Sequence, residues 1–543
     1  MKKVFLILFA VIIIGVLIIS GCAKTTSTPS KTPAPATTTA ATKTSTPTSA
    51  PSLTPQSGGT LKIITTEKIY NMGDPRAPGE PYDSNARHPF IETLLRFDQE
   101  PNLGKIKPWL ATGWSYNADY TALTLTLQKG VKYHDGTNFN AQSVKDCLDF
   151  YKAAGRIELK SVTSVDVVDE YTVRLNTPKF DVALVGVLAQ APIGQMVSPT
   201  AMRTMDKNKL LLTPVGTGPF KLASYEVGVK IRGEKFTDYW VKGLPYLDAI
   251  EITVITDPTV ARMAFERGEG DVIPRMEPKE GSELKATGKY NVFLSRSGFE
   301  FALGGDVVNA DSPFANVKVR KAVAYAMNVE GAIKQLGYGI WIPNRRMWNN
   351  AHWAFNPAPT IFSYDPAKAK SLLAEAGYAT GFKSTIYLRD KMFENVATVL
   401  QSNLKDVGID VNLEVMTPAQ ASEQASKGWK NSIRHLLAPS TPEREPSVTA
   451  LTYYGPGNLN NASMVLPADV VALCQKAASE PDFDKRKAMA LEADRLVMEE
   501  YALFWEVVTA PFVVPKQRYV HDDNLRFFVG HYWTPERAWV EKH

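Results

Sequence analysis

Cysteine is nearly absent, with three residues in 543: Cys22, Cys147 and Cys474. A chain of this length buries enough apolar surface to fold without covalent staples. Cys147 lies in the stripe Val144-x-x-Cys147-Leu148-x-x-Tyr151, and Cys474 follows Val470 and Val471 at helical spacing. Both read as buried, unpaired core residues. Histidine is also scarce. The seven, at 88, 134, 352, 435, 521, 531 and 543, show no close ligand spacing, so no metal site and no cofactor is expected. There is no Gly-x-Ser-x-Gly elbow, no His-Glu-x-x-His and no Cys-x-x-Cys, which removes the common signatures of an extracellular hydrolase. Carboxylates paired from distant positions keep that class open. A charge excess is missing too. Of 61 Lys+Arg, five (Lys2, Lys3, Lys24, Lys31, Lys43) precede residue 58 and no acidic residue does, leaving 56 of each sign beyond it. A neutral body carries no electrostatic footprint for nucleic acid.

One long apolar run is present, the 16 residues Val4 to Ile19, preceded by Lys2-Lys3. It is shorter than the ~20 residues of a spanning helix. It ends in Ile19-Ser20-Gly21-Cys22, small residues where a signal peptide is cleaved. A cysteine at that point resembles a bacterial lipobox, which implies residues 1–21 as a signal peptide and Cys22 as the lipid-attachment site. An uncleaved anchor with an incidental cysteine is the alternative. Either reading puts the rest of the chain outside the cytoplasm, held at the membrane. Residues 23–57, within the segment 22–57, are almost entirely Thr, Pro, Ala, Ser and Lys, with Leu53 the single large apolar side chain. Such a segment cannot bury enough surface to offset its ordering entropy. It reads as a tether with a reach of roughly 30–35 Å.

From Gly58 the pattern changes. Leu123, Leu125 and Leu127 alternate with Thr124 and Thr126, as a strand with one buried face requires. Val165–Val168 and Tyr171–Leu175 form a hairpin through Asp169-Glu170, and Ile250, Ile252 and Val254 alternate again. Asp257-Pro258 opens a helix carrying Val260, Met263 and Ala264 that stops near Gly268. Val319, Ala322, Val323 and Ala326 share a helical face. Asp365-Pro366 opens a helix with Leu372, Leu373 and Ala376 inward, closed by Gly377. Strands are expected at Lys383–Leu388 and from Ile409 to Val415, with a helix ending at Gly408 between them. The chain is mixed α/β.

Several blocks resemble the extracytoplasmic solute-binding proteins of ABC importers, family 5, which include oligopeptide-, dipeptide- and nickel-binding members. They are Gly58-Gly59-Thr60-Leu61, then Glu92 to Asp98 (matching an early helix of the family), Leu127 to Thr137, Val215 to Leu222, Asn316 to Asn328 and Tyr364 to Tyr378. The residues themselves suggest mainly structural work. Gly216-Thr217-Gly218 lacks the third glycine of a dinucleotide loop, so close backbone passage is the plainer reading. His134 reads as a turn-edge histidine making one backbone hydrogen bond.

The resemblance implies a two-lobed periplasmic-binding-protein-like fold of type II, in the large cluster with an extra subdomain. It implies a non-enzymatic, monomeric receptor that closes on a peptide or other organic solute and delivers it to an ABC permease. Lobe I would combine residues 58–98, 190–303 and 505–543. The accessory subdomain would be 99–189 and lobe II 304–504, with crossings near Gly304-Gly305 and Leu503–Glu506. A metal-chelate or oligosaccharide receptor of the same fold is the alternative. Candidate ligand contacts are Trp348 and Trp353 in the loop from Trp341, Tyr453 and Tyr454 before Gly455-Pro456, and Trp505 past the second crossing. In peptide-binding relatives one strand bears an arginine and, six residues on, an aspartate that pairs with the peptide ammonium. Those positions fall on Arg434 and Ser440, with Glu443 as an alternative acid.

Overall fold

A computed structural model of the chain describes residues 54–77, 81–98, 105–389, 391–436, 444–522, 533 and 535–541, without the side chains of 81, 82, 296 and 297. Cys22, Ser440 and Glu443 lie outside the described residues. No described helix is long and apolar enough to cross a membrane.

The first strand, Thr60–Thr65, buries Leu61 and Ile63 completely. It pairs in parallel with Ala249–Val254, Thr60 opposite Ala249, and Lys230–Lys235 and Phe220–Glu226 complete a four-stranded sheet. Nearly 190 residues separate the two parallel partners, and part of that span forms a sheet of its own. Ala111–Tyr116, Ala122–Leu127, Thr172–Asn176 and Ser164–Asp169 lie side by side, all antiparallel. The helix Ala141–Ala153 packs on this sheet, its N-terminus closed by a reciprocal Asn140–Ser143 capping box. The apolar cores of the two sheets run together into one cluster.

The other half of the molecule is a six-stranded sheet in the order Ile342–Pro343, Trp505–Lys516, Asn291–Gly305, Ile433–His435, Phe382–Leu388, Ile409–Val415. Helices cover both faces. Val317–Ala326, Pro366–Glu375 and Glu394–Asp406 pack into one core, and Pro446–Tyr454, Ala468–Ala477 and Phe483–Arg495 into another. Cys147 and Cys474 are buried and unpaired; burial pushes their thiols up to about 11 and about 12.

The long strands Asn291–Gly305 and Trp505–Lys516 join the halves as one antiparallel ribbon, from Asn291 opposite Lys516 to Leu303 opposite Trp505. One end belongs to the first half, because Lys516 also bridges Val272 and Val272 bridges Ile63. The Gly304-Gly305 pair, near which a crossing is expected, lies at the end of the long strand Asn291–Gly305. Gly304 lies opposite Arg434 and Gly305 opposite Ile433, inside the second sheet. A Cβ at Gly304 would sit 2.8 Å from Leu436, and one at Gly305 2.6 Å from the Phe314 ring. These glycines permit close packing against the second core. The ladder shifts register twice, between Leu294 and Gly298 and between Phe301 and Ala302.

Two local expectations also change. Glu92 to Asp98 holds no helix: Leu95–Phe97 is a strand paired with Ile106–Pro108, and the helix precedes it at Pro81–Arg87. In the helix Pro258–Glu266, Val260 and Met263 face solvent while Ala261, Ala264 and Phe265 are buried. The small alanines let the helix lie close to its neighbours, and Phe265 fills the remaining space.

Candidate ligand cavity

A cavity of about 1490 Å³ opens between the small inserted sheet and the second half of the molecule. That exceeds the roughly 300–1,000 Å³ of a typical small-ligand pocket, leaving room for a solute larger than a single amino acid.

One wall comes from the inserted region. Phe97 and Ile106, cross-strand partners in a short hairpin, stand beside Trp114. The segment from Pro178 to Ala183 adds Phe180, whose ring meets those of Tyr116 and Tyr120 edge-on at 5.4 Å each. Asp181 is fixed there, accepting from Ser161 Oγ and, at 2.9 Å, from the Ala183 amide. Glu158 is held by Arg156 at 2.8 Å.

The opposite wall is helical. Pro446–Tyr454 starts with proline at its first turn, where no amide partner is lost. It presents Val448, Thr449, Leu451 and Thr452. In Phe483–Arg495, capped by Asp482 accepting from the Lys485 amide at 2.9 Å, Phe483 and Arg486 stand three apart on one face. Phe483 is 40% exposed and packs on Trp353 at 4.9 Å. Arg486 donates from Nη1 to the carbonyls of Glu480 (3.0 Å) and Pro481 (2.8 Å). Its Nε lies 3.8 Å from Glu445 Oε2, too long for a hydrogen bond. Burial pushes the Glu445 carboxyl up to about 7, against the opposing pull of Arg486.

Among the expected contact residues, Trp353 lines this cavity. Trp348 lies beneath it, 3% exposed and stacked on His352 at 4.7 Å. His352 Nδ1 accepts from the Ala354 amide, so Nε2 carries the hydrogen given to the Arg444 carbonyl at 3.1 Å. Burial pushes this histidine down to about 3. Tyr454 is buried, stacked on Phe504 at 4.9 Å, and Tyr453 is half-buried; the wall is formed by their helix neighbours. Trp505 is a core residue. Its indole N–H donates to the Arg320 carbonyl at 3.1 Å and its ring meets Phe314. Arg434 is 1% exposed, donating to Asn461 Oδ1 (3.2 Å) and the Ala421 carbonyl (2.9 Å), with its guanidinium 5.2 Å from the Trp429 ring centroid. Burial first, and then Arg389, lowers it to about 10. These contacts make Arg434 a packing element of the second sheet.

Phe97, Phe180, Phe483 and Arg486 were not singled out from sequence. Phe483 had a usable signal, a lone aromatic among charged residues in a helix start, Asp482-Phe483-Asp484-Lys485-Arg486. Phe97 and Phe180 had none.

Outside the cavity, His134 is buried, with Nε2 2.9 Å from the Gly218 carbonyl, and burial lowers it to about 4. A Cβ at Gly216 or Gly218 would collide with the backbone of Phe90 or Pro89, so this turn serves close passage. Among the described residues, no group of three or more His, Cys, Asp or Glu is placed to hold a metal ion.

The family model for bacterial extracellular solute-binding proteins, family 5, matches residues 105–458. The glutathione-binding protein GsiB of Salmonella choleraesuis is 29% identical over 476 residues, 83% of this chain and 89% of that protein. DppA of Helicobacter pylori, solved with the peptide STSA, superposes with a TM-score of 0.71 at 23% identity, over 90% of this chain and 99% of that one. NikA of Brucella suis, solved with Fe(III)-EDTA, gives 0.73 at 23% identity, over 86% and 96%.

Proposed function

The chain belongs to the bacterial extracellular solute-binding proteins of family 5, and we propose that it is the lipid-anchored receptor of an ABC importer, capturing a peptide or comparable organic solute between its lobes. The observation that carries this reading is the cavity of about 1490 Å³ with one wall from each side of the molecule. A solute touching both walls stabilises whichever arrangement brings them together, and a ligand shifts such an equilibrium by its differential affinity for the two states. The permease then meets a loaded shape distinct from the empty one. The relative named for glutathione supports a peptide-sized cargo. A metal chelate is the second reading, since such a complex brings its own ligands and needs no metal-binding side chains here.

Cys22 is the proposed acylation site, and residues 22–57 the tether that holds the receptor off the membrane. Cys22→Ala is expected to leave an unprocessed precursor or release the body; a fully processed, membrane-held variant would refute the anchor. For the receptor, native mass spectrometry of the chain purified without added solute is expected to show a non-covalent adduct. Isothermal titration with the identified compound should then give saturable binding without turnover. Chemical conversion of the compound by the purified chain would replace this reading with an enzymatic one.

A further inference from the structure

The cavity walls carry five cationic side chains and three carboxylates, and the effective imbalance is larger than these counts. Each carboxylate is engaged within the protein. Glu158 pairs with Arg156 at 2.8 Å, Asp181 accepts from Ser161 and Ala183, and Glu445 accepts from Ser447 Oγ at 3.3 Å and lies beside Arg486. Lys105, Lys160, Lys179 and Arg444 have no ion-pair partner among the described residues. The three lysines stand on one wall, and Arg444 and Arg486 on the other. Like charges on opposing walls repel more strongly as the walls approach and water leaves the gap. Closure over an empty cavity, or over a neutral solute, is therefore opposed, and a solute with anionic groups at both ends removes that opposition. The raised Glu445 carboxyl adds to the excess, because it is only partly charged near neutrality.

We propose that the cavity selects organic solutes carrying two or more negative charges. One anionic end is held by Arg444 and Arg486 and the other by Lys160 and Lys179, with the uncharged part lying against Trp353 and Phe483. Carboxylate and phosphate satisfy the same cations. The inference rests on the cavity being the receptor's solute site, and it adds the charge class of the cargo.

The test is calorimetry on the full-length chain, freed of cargo by unfolding and refolding, with four peptides of one length: tri-glutamate, a doubly phosphorylated seryl tripeptide, tri-glutamine and tri-lysine. At least one acidic probe is expected to bind tenfold or more tightly than tri-glutamine, about 1.4 kcal/mol. That advantage should shrink in 0.5 M NaCl, where exposed charges are screened within a few ångströms. The better acidic probe identifies carboxylate or phosphate as the natural group. The double variant Lys160→Gln/Lys179→Gln, both exposed positions, should lose most of the acidic preference with an unchanged melting temperature. Equal binding of tri-glutamine, preference for tri-lysine, failure of both acidic probes, or an unaltered double variant would each overturn the inference. A retained cargo that is neutral at pH 7 would also overturn it while leaving the receptor reading intact. Absence of saturable binding for every solute, the retained one included, is the separate outcome that removes the receptor reading itself.

Discussion

Glu92 shows how a single side chain can organise a region that no local pattern announces. Its buried carboxylate accepts from Trp109 Nε1 (2.9 Å), Tyr239 OH (2.8 Å), Trp240 Nε1 (3.0 Å) and Thr217 Oγ1 (2.9 Å), and Arg96 approaches to 3.4 Å. Burial raises its pKa, and Arg96 and the indole and phenol donors oppose that rise. Breaking a buried charge network by removing one member costs about 3–5 kcal/mol. Glu92→Ala is expected to fall in that range by urea denaturation, and Glu92→Gln to cost less, because the amide oxygen still accepts. Glu445 makes the converse case. Its carboxyl is raised from an ordinary 4.5 to about 7, so between those values the folded chain keeps a proton that the unfolded chain releases. The stability tied to the neutral form is full below about pH 4.5 and is lost as pH rises through about 7. The charged groups around it are Arg486 and Arg444, with Glu158, Lys160 and Asp181 across the cavity; His352, held near 3, does not titrate in that window. Glu445→Gln should flatten the fall in melting temperature between pH 5 and 8. An identical pH profile in the variant would show that another group is responsible.

At the scale of elements, periodicity was legible where one face is buried and the other wet. Leu123, Leu125 and Leu127 lie in the strand Ala122–Leu127 and are buried, and Ile409 begins the strand that ends at Val415. Caps were legible as well: Asp257 and Asp365 each accept from an amide in the first turn they precede. Pairing between distant segments was not. Leu95–Phe97 is a strand because Ile106–Pro108 lies beside it, and seven residues alone do not contain that fact. The cavity wall was legible only in part, at Trp353. Trp348 and Tyr454 sit in loop-like sequence and Trp505 follows from the resemblance, yet tertiary contacts bury all three, while the cavity takes Phe97 and Phe180 from segments far apart in the chain. Gly216-Thr217-Gly218 serves the close backbone passage that its glycines suggest, with a sharp consequence. Gly216→Ala forces a Cβ against the Phe90 carbonyl, and such overpacking costs about 1–3 kcal/mol. Differential scanning calorimetry should show a lowered melting temperature; an unchanged value would mean the backbone there yields freely.

At the scale of the whole molecule, one ribbon joins the halves. The ladder between Asn291–Gly305 and Trp505–Lys516 holds register up to Leu294 and resumes at Gly298. Beside the break, Arg275 from the first half lies 4.6 Å from the Phe299 ring centroid and 4.9 Å from that of Phe512, and is ion-paired to Glu67. The register shifts again between Phe301 and Ala302, and such interruptions of a ladder are places where a few residues can absorb a change of backbone angle. At Gly304 and Gly305, near the crossing that the resemblance implies, an added Cβ would meet Leu436, Met464 and Phe314 in the second core. The two sites predict different behaviour. Moving a receptor from 1:99 to 99:1 in favour of the closed form requires about 5.5 kcal/mol of differential affinity, which small-angle scattering would register as a reduced radius of gyration at saturating solute. Gly298→Ala places a Cβ against the Ala510 carbonyl across the ribbon and touches no cavity wall. It should blunt that compaction and weaken solute binding. Gly304→Ala should lower the melting temperature yet leave the compaction of the folded fraction intact. If Gly304→Ala blunts closure and Gly298→Ala does not, the bend lies in the second sheet after all, and the interruption at Leu294–Gly298 is only a flaw in the pairing.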